Sequence, residues 1–143
     1  YGATGSKKQV WNINIKASLL TTALSIPIVV ILYFLLPLLF EYVFTEYGEV
    51  LKSTSIILLS VVFIIPQMTY NGLSSVKAYK TMITVVVLKL IIYWFVILIL
   101  FKKIGGLEGI AWGIVCSDFL FSIVVLIACY YELVIKKKKN KEL

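Results

Sequence analysis

Four long apolar runs divide the sequence, at 17–40, 54–73, 82–101 and 109–131, and almost every charged residue falls between them. A helix rising 1.5 Å per residue needs about 20 apolar residues to cross a hydrocarbon core of ~30 Å, and each run meets that length. The connections reach about 13 residues at most, so consecutive helices are expected to lie antiparallel as neighbours. The pattern predicts an all-α membrane protein of four antiparallel transmembrane helices in one domain, with 132–143 as a basic tail.

Composition agrees with a membrane solvent. Hydrophobic residues make up 61% of the chain and its mean hydropathy is +1.00, far above the roughly 45–50% apolar content of soluble proteins. The net charge of +7 comes from 14 lysines against seven carboxylates, with no arginine. Basic residues interleaved with aromatics on a solvated face are missing, so the charge does not point to nucleic acid.

Lysine placement instead sets an orientation. One side of the array would hold Lys7, Lys8, Lys16, Lys77, Lys80, Lys136, Lys137, Lys138, Lys139 and Lys141, and the other only Lys52, Lys102 and Lys103 among Glu41, Glu46, Glu49 and Glu108. The richer side is expected to be cytoplasmic, which places both ends there. Lys136, Lys137, Lys138, Lys139 and Lys141 suit contact with anionic membrane lipids, at about 1 kcal/mol per lysine near the surface. Trp11, Tyr42, Phe44, Tyr47, Tyr130 and Tyr131 flank the spans as rings at headgroup level do. Trp94 and Trp112 lie deeper, where sugar stacking and plain packing are both open readings. The chain starts at Tyr1 without a signal-peptide pattern, and it reads as a fragment whose upstream part is missing.

Catalysis finds no support. The sequence has no histidine, no metal-spaced ligand cluster and no phosphate-cradling glycine loop, so no catalytic residue, metal or cofactor is expected. Cys116 and Cys129 are thirteen residues apart in one run, about 20 Å along a helix, too far for a disulfide. They read as small apolar fillers.

Polar features inside the apolar runs carry the candidate chemistry. Pro27, Pro37 and Pro66 are expected to interrupt two helices; Pro66 removes the donor that the Val62 carbonyl would otherwise use. Ser53, Ser60, Gln67 and Asn71 fall on one face of the second helix, either as a cavity wall or as buried interhelical hydrogen bonding. Gly105 and Gly106 suit a tight turn, and Gly109, Gly113 and Ser117 recur every fourth residue as a helix-packing face. Lys89 and Asp118 lie deep in the third and fourth runs at comparable depth. Such charges cost about 2.5–3.5 kcal/mol each at a helix centre, so they are expected to pair or to share one polar cavity. With Gln67 and Asn71 they are the substrate-cavity candidates.

The order of these features resembles a known family. Leu38-Leu39-Phe40-Glu41-Tyr42-Val43-Phe44, Tyr70-Asn71-Gly72-Leu73, Ser75-Val76-Lys77-Ala78-Tyr79-Lys80 and Gly106-Leu107-Glu108-Gly109-Ile110-Ala111-Trp112-Gly113 look like the last four helices of Wzx-type polysaccharide flippases, of the superfamily that includes multidrug extruders. The resemblance runs from about Ala17 to Tyr131. It implies a twelve-helix or longer MATE-like transporter in the bacterial cytoplasmic membrane, with this chain in its second lobe beside the parent's remaining helices. The implied substrate is a lipid-linked oligosaccharide on a polyprenyl diphosphate carrier, for cell-surface polysaccharide biosynthesis. Two alternatives stand beside it: a small four-helix accessory or scaffold protein that binds partner helices through its glycine face, and a drug or cation extruder of the same superfamily.

Overall fold

A computed structural model of the chain describes residues 7–135, and every element it describes is helical. Four helices are long and apolar enough to cross a membrane: α1 (Lys7–Tyr42), α2 (Thr45–Ser75), α3 (Tyr79–Ile104) and α4 (Gly106–Ile135). Each outruns its apolar segment, because polar end residues continue a helix into the headgroup zone. Lys102 and Lys103 in the last turn of α3 also face the negative end of its dipole. Residues 132–135, expected in the tail, instead close α4 as a π-helical turn, Tyr131–Ile135. Lys136, Lys137, Lys138, Lys139 and Lys141 lie outside the described residues.

Short turns force the antiparallel order. Gly105 and Gly106 have φ of 77° and 56°, which lets α4 begin one residue after α3 ends. At the other end of α3, Lys77 takes φ 57° at the close of α2. The Ala78 amide bonds the Leu73 carbonyl and the Lys77 amide that of Ser74, both at 3.0 Å, a Schellman arrangement with lysine where glycine is usual.

The four helices are not equivalent. α4 is the most buried, packed between α3 on one side and α2 on the other, while α1 rests on α2 and on the end of α4. Val10 near the start of α1 joins Leu73, Val125, Cys129 and Leu133 in one apolar cluster, and Trp11 meets Tyr130 edge to face with centroids 5.6 Å apart. These contacts gather the start of α1 and the ends of α2 and α4 on one side. On the opposite side, Lys52 and Glu108 form an exposed ion pair at 2.9 Å, worth little by itself in stability. α1 and α3 expose most of their apolar surface, with Phe34 71% and Trp94 68% exposed. Trp94 thus faces outward.

The prolines act unequally. α1 runs unbroken through Pro27 and Pro37, contrary to the interruption expected there. One missing donor does not stop a helix in lipid, since the backbone has no water to turn to. α2 does break, into α-helical turns at Leu51–Leu58, Ser60–Ile64 and Asn71–Ser75 around a 3₁₀ segment, Ile65–Tyr70, that Pro66 opens.

The glycine face of α4 sets its register on α3. A Cβ on Gly109 would lie 2.9 Å from the Leu100 carbonyl oxygen and 3.0 Å from Phe101 Cα; one on Gly113 would lie 2.8 Å from Ile97 Cα. A step of four residues along α4 is therefore met by a step of four back along α3. Backbone cannot yield as a side-chain tip does, so added bulk must separate the helices. Gly113→Ala should lower unfolding stability in micelles by about 1–3 kcal/mol and Gly113→Leu by more. Gly48→Ala, whose Cβ meets nothing within 4 Å, should change it by less than about 0.5 kcal/mol; equal effects at the two glycines would contradict the close contact.

Candidate functional site

Extending the α3–α4 register inward places polar residues at mid-depth. Asp118 follows Gly106 by twelve residues, about 18 Å along α4 at 1.5 Å per residue, and it is only 2% exposed. A carboxyl group there needs donors, and two helices supply them. Gln67 Nε2, from the 3₁₀ segment of α2, donates to Asp118 Oδ1 at 3.0 Å and also lies 3.4 Å from the Asp118 backbone carbonyl. The Tyr93 hydroxyl of α3 donates to the same Oδ1. Asp118 thus joins α2, α3 and α4 at one point.

Lys89 stands one turn from Tyr93 on α3, half-buried. Its ammonium lies 5.3 Å from the Tyr93 ring centroid and 5.0 Å from that of Phe121, within the range of cation–π attraction. It makes no ion pair with Asp118. The direct pairing considered from sequence fails for a reason of register: Lys89 falls level with Phe121, and Tyr93, a turn nearer the carboxyl group, takes the position between them. Tyr93 touches both Lys89 and Asp118.

The other candidates separate. Asn71 is exposed at the start of the last turn of α2, and among the described residues the side-chain donors to Asp118 are Gln67 and Tyr93. Ser53 and Ser60 are buried. Ser117 is fully buried and donates to the Gly113 carbonyl at 2.6 Å, the bond back to the preceding turn that hydroxyls make in helices.

The broken part of α2 is fastened to α4 at further points. The Ser122 hydroxyl has two carbonyls in reach of its one proton, that of Phe63, one residue beyond the Val62 carbonyl that Pro66 was expected to free, and that of Asp118 in its own helix at 2.7 Å. The Cys129 thiol lies 3.4 Å from the Thr69 carbonyl, so Cys129 is a weak donor as well as a filler. Phe63 and Phe119 meet edge to face at 5.3 Å. Residues 118, 122 and 129 share one face of α4 by helical spacing, and that face reads the irregular backbone of α2.

Sequence reasoning passed over Tyr93, the residue that completes the cluster. Its signal was available in its place one turn beyond Lys89 and opposite Ser117 in the glycine register. Two further features were missed. Along α1, Asn14, Ser18, Thr22 and Ser25 form a polar stripe; Ser18 and Ser25 are buried, Asn14 packs on Gly72, and the buried Thr22 hydroxyl makes no hydrogen bond among the described residues. At the end of α4, Glu132 is 5% exposed and accepts a bond from Thr81 at 3.0 Å, in a stretch expected to be tail. Among the described residues no cluster of His, Cys, Asp or Glu could hold a metal ion.

No protein-family model matches the chain, and neither the curated proteins nor the solved structures contain a match to it.

The cluster predicts a specific coupling. In a double-mutant cycle of unfolding stability, Tyr93→Phe and Asp118→Asn should couple by about 0.5–3 kcal/mol, the range for residues in one hydrogen-bond network. Lys89→Met with Asp118→Asn should couple less than Tyr93→Phe does. A larger Lys89 coupling would mean that the cation, and not the phenol, is the main partner of Asp118.

Proposed function

We propose that this chain is part of a membrane flippase that moves a lipid-linked oligosaccharide, carried on a polyprenyl diphosphate, across a bacterial cytoplasmic membrane for surface polysaccharide synthesis. The reading joins the sequence resemblance to one structural observation. Lys89 is a half-buried cation at mid-depth that forms no ion pair with a carboxylate of the described residues, its ammonium lying against the Tyr93 and Phe121 rings.

The chemical demand is that of an amphiphile. A diphosphate-sugar head cannot cross ~30 Å of hydrocarbon unaccompanied, whereas its polyprenyl tail can stay in lipid. Lys89 supplies positive charge for the diphosphate, and Gln67, Tyr93 and Asp118 are polar groups at the same level. In this assignment the four helices belong to the second lobe of a MATE-like transporter, and the bare apolar faces of α1 and α3 meet lipid or the parent's remaining helices.

The glycine face bears on the scaffold alternative. Gly109 and Gly113 are already closed against Phe101 and Ile97 of the same chain, so that surface is not open to a partner helix. The flippase assignment is tested genetically. Deleting the gene in its own host should trap loaded carrier on the cytoplasmic side and remove surface polysaccharide, and a Lys89→Arg copy should restore export where Lys89→Gln does not. Unchanged polysaccharide after deletion, in a host without a second flippase, would refute it.

A further inference from the structure

Between α3 and α4, on the side where the start of α1 lies, the outer surface carries a groove of about 510 Å³ that is graded in polarity. In the register of the two helices Lys80, Thr81 and Tyr131 line one end, Thr84, Ile127 and Ala128 the middle, and Leu88 and Val124 the other end. Lys80 is the second residue of α3 and Leu88 lies eight further on, about 12 Å along the axis. Half of a ~30 Å hydrocarbon core is about 15 Å. At about 12 Å the groove runs most of the ~15 Å depth of one leaflet, with its charged end toward the headgroups and its apolar end among acyl chains. A neighbouring groove lined by Tyr93, Trp94, Ile97 and Leu98 has no charged group.

The donors available in the groove narrow the occupant. The Thr84 hydroxyl is committed to the Lys80 carbonyl at 3.0 Å, and the Thr81 hydroxyl is committed to Glu132, which is buried behind the groove wall. What remains is an exposed ammonium and an exposed phenol, Lys80 and Tyr131. A cation beside a neutral donor complements a phosphodiester, and it disfavours a headgroup that brings its own quaternary ammonium.

We infer that this groove holds one anionic phospholipid of the lysine-rich leaflet, its phosphate on Lys80 and Tyr131 and an acyl chain along Leu88, Val124 and Ile127. The site requires only that the four helices span a bilayer, and it stands whether or not the chain serves a flippase. A lipid so placed covers the seam between α3 and α4 beyond the level where the glycine face ends.

The test uses the full chain in nanodiscs of equal phosphatidylglycerol and phosphatidylcholine, released into the gas phase so that retained lipids are counted by native mass spectrometry. The wild type should keep one phosphatidylglycerol in preference to phosphatidylcholine. Lys80→Gln should lower that preference about fivefold, the ratio equivalent to ~1 kcal/mol per lysine at an anionic surface, and Lys80→Arg should preserve it. Ala128→Phe, which fills the groove wall, should reduce retention of both lipids. Lys16→Gln, on α1 and outside the groove, should leave the preference intact. An unchanged preference in Lys80→Gln, or an equal fall in Lys16→Gln, would overturn the site; the first means no contact with Lys80 and the second only diffuse attraction to basic charge. Lys80 is exposed, so its variants remain informative even if Ala128→Phe fails to fold.

Discussion

An acidic side chain in the middle of a membrane helix must be surrounded by donors, and the way Asp118 meets that demand fixes the rest of this structure. Placing Asp at a helix centre costs about 2.5–3.5 kcal/mol on the insertion scale. A hydrogen bond to a charged group contributes about 1.5–3 kcal/mol, so the two bonds from Gln67 and Tyr93 are of the size needed to offset it. Because the donors come from α2 and α3, satisfying one carboxyl group on α4 pins three helices at one level. It also leaves Lys89 to the faces of two rings.

The remaining contacts follow from α4 being the helix in the middle. Toward α3 it has no side chains at Gly109 and Gly113, and backbone approaches backbone. Beyond the glycines, Lys89 meets Phe121, and Val85 and Val125 share one buried cluster. Toward α2 it presents Asp118, Ser122 and Cys129, each bonded to a group in or beside the stretch that Pro66 disrupts. A helix broken in lipid leaves backbone carbonyls without partners, and the α4 side chains that meet them make the break tolerable. Packing specificity here is polar on one face and steric on the other.

Much of this was legible in the sequence because hydrocarbon thickness imposes one length on every span. Four spans, their antiparallel order and the glycine turn at Gly105 and Gly106 follow from apolar runs and short connections. Helix ends were read too short, since lysines such as Lys102 and Lys103 end an apolar run without ending a helix. The prolines could not be ranked in advance: Pro27 and Pro66 have the same local chemistry, and only the α4 side chains facing Pro66 mark α2 as the helix that bends. At the candidate site, Lys89, Asp118 and Gln67 stood out by polarity alone. Tyr93 did not, because a tyrosine among apolar residues carries no such mark until the register brings its hydroxyl to a carboxyl group. Asn71 was grouped with Gln67 on helical periodicity, which the 3₁₀ segment between them does not keep.

The three-helix junction requires the broken half of α2 to dock on α4 at the level of Asp118. Phe63→Cys and Phe119→Cys, introduced together after Cys116 and Cys129 are replaced by serine, should be joined efficiently in membranes by a short bis-maleimide, since the two rings they replace meet at 5.3 Å. Ile31→Cys with Ile91→Cys, on the outward faces of α1 and α3, should not be joined. Efficient joining of the second pair with none of the first would contradict the placement of α4 between α2 and α3, and with it the three-helix junction at Asp118.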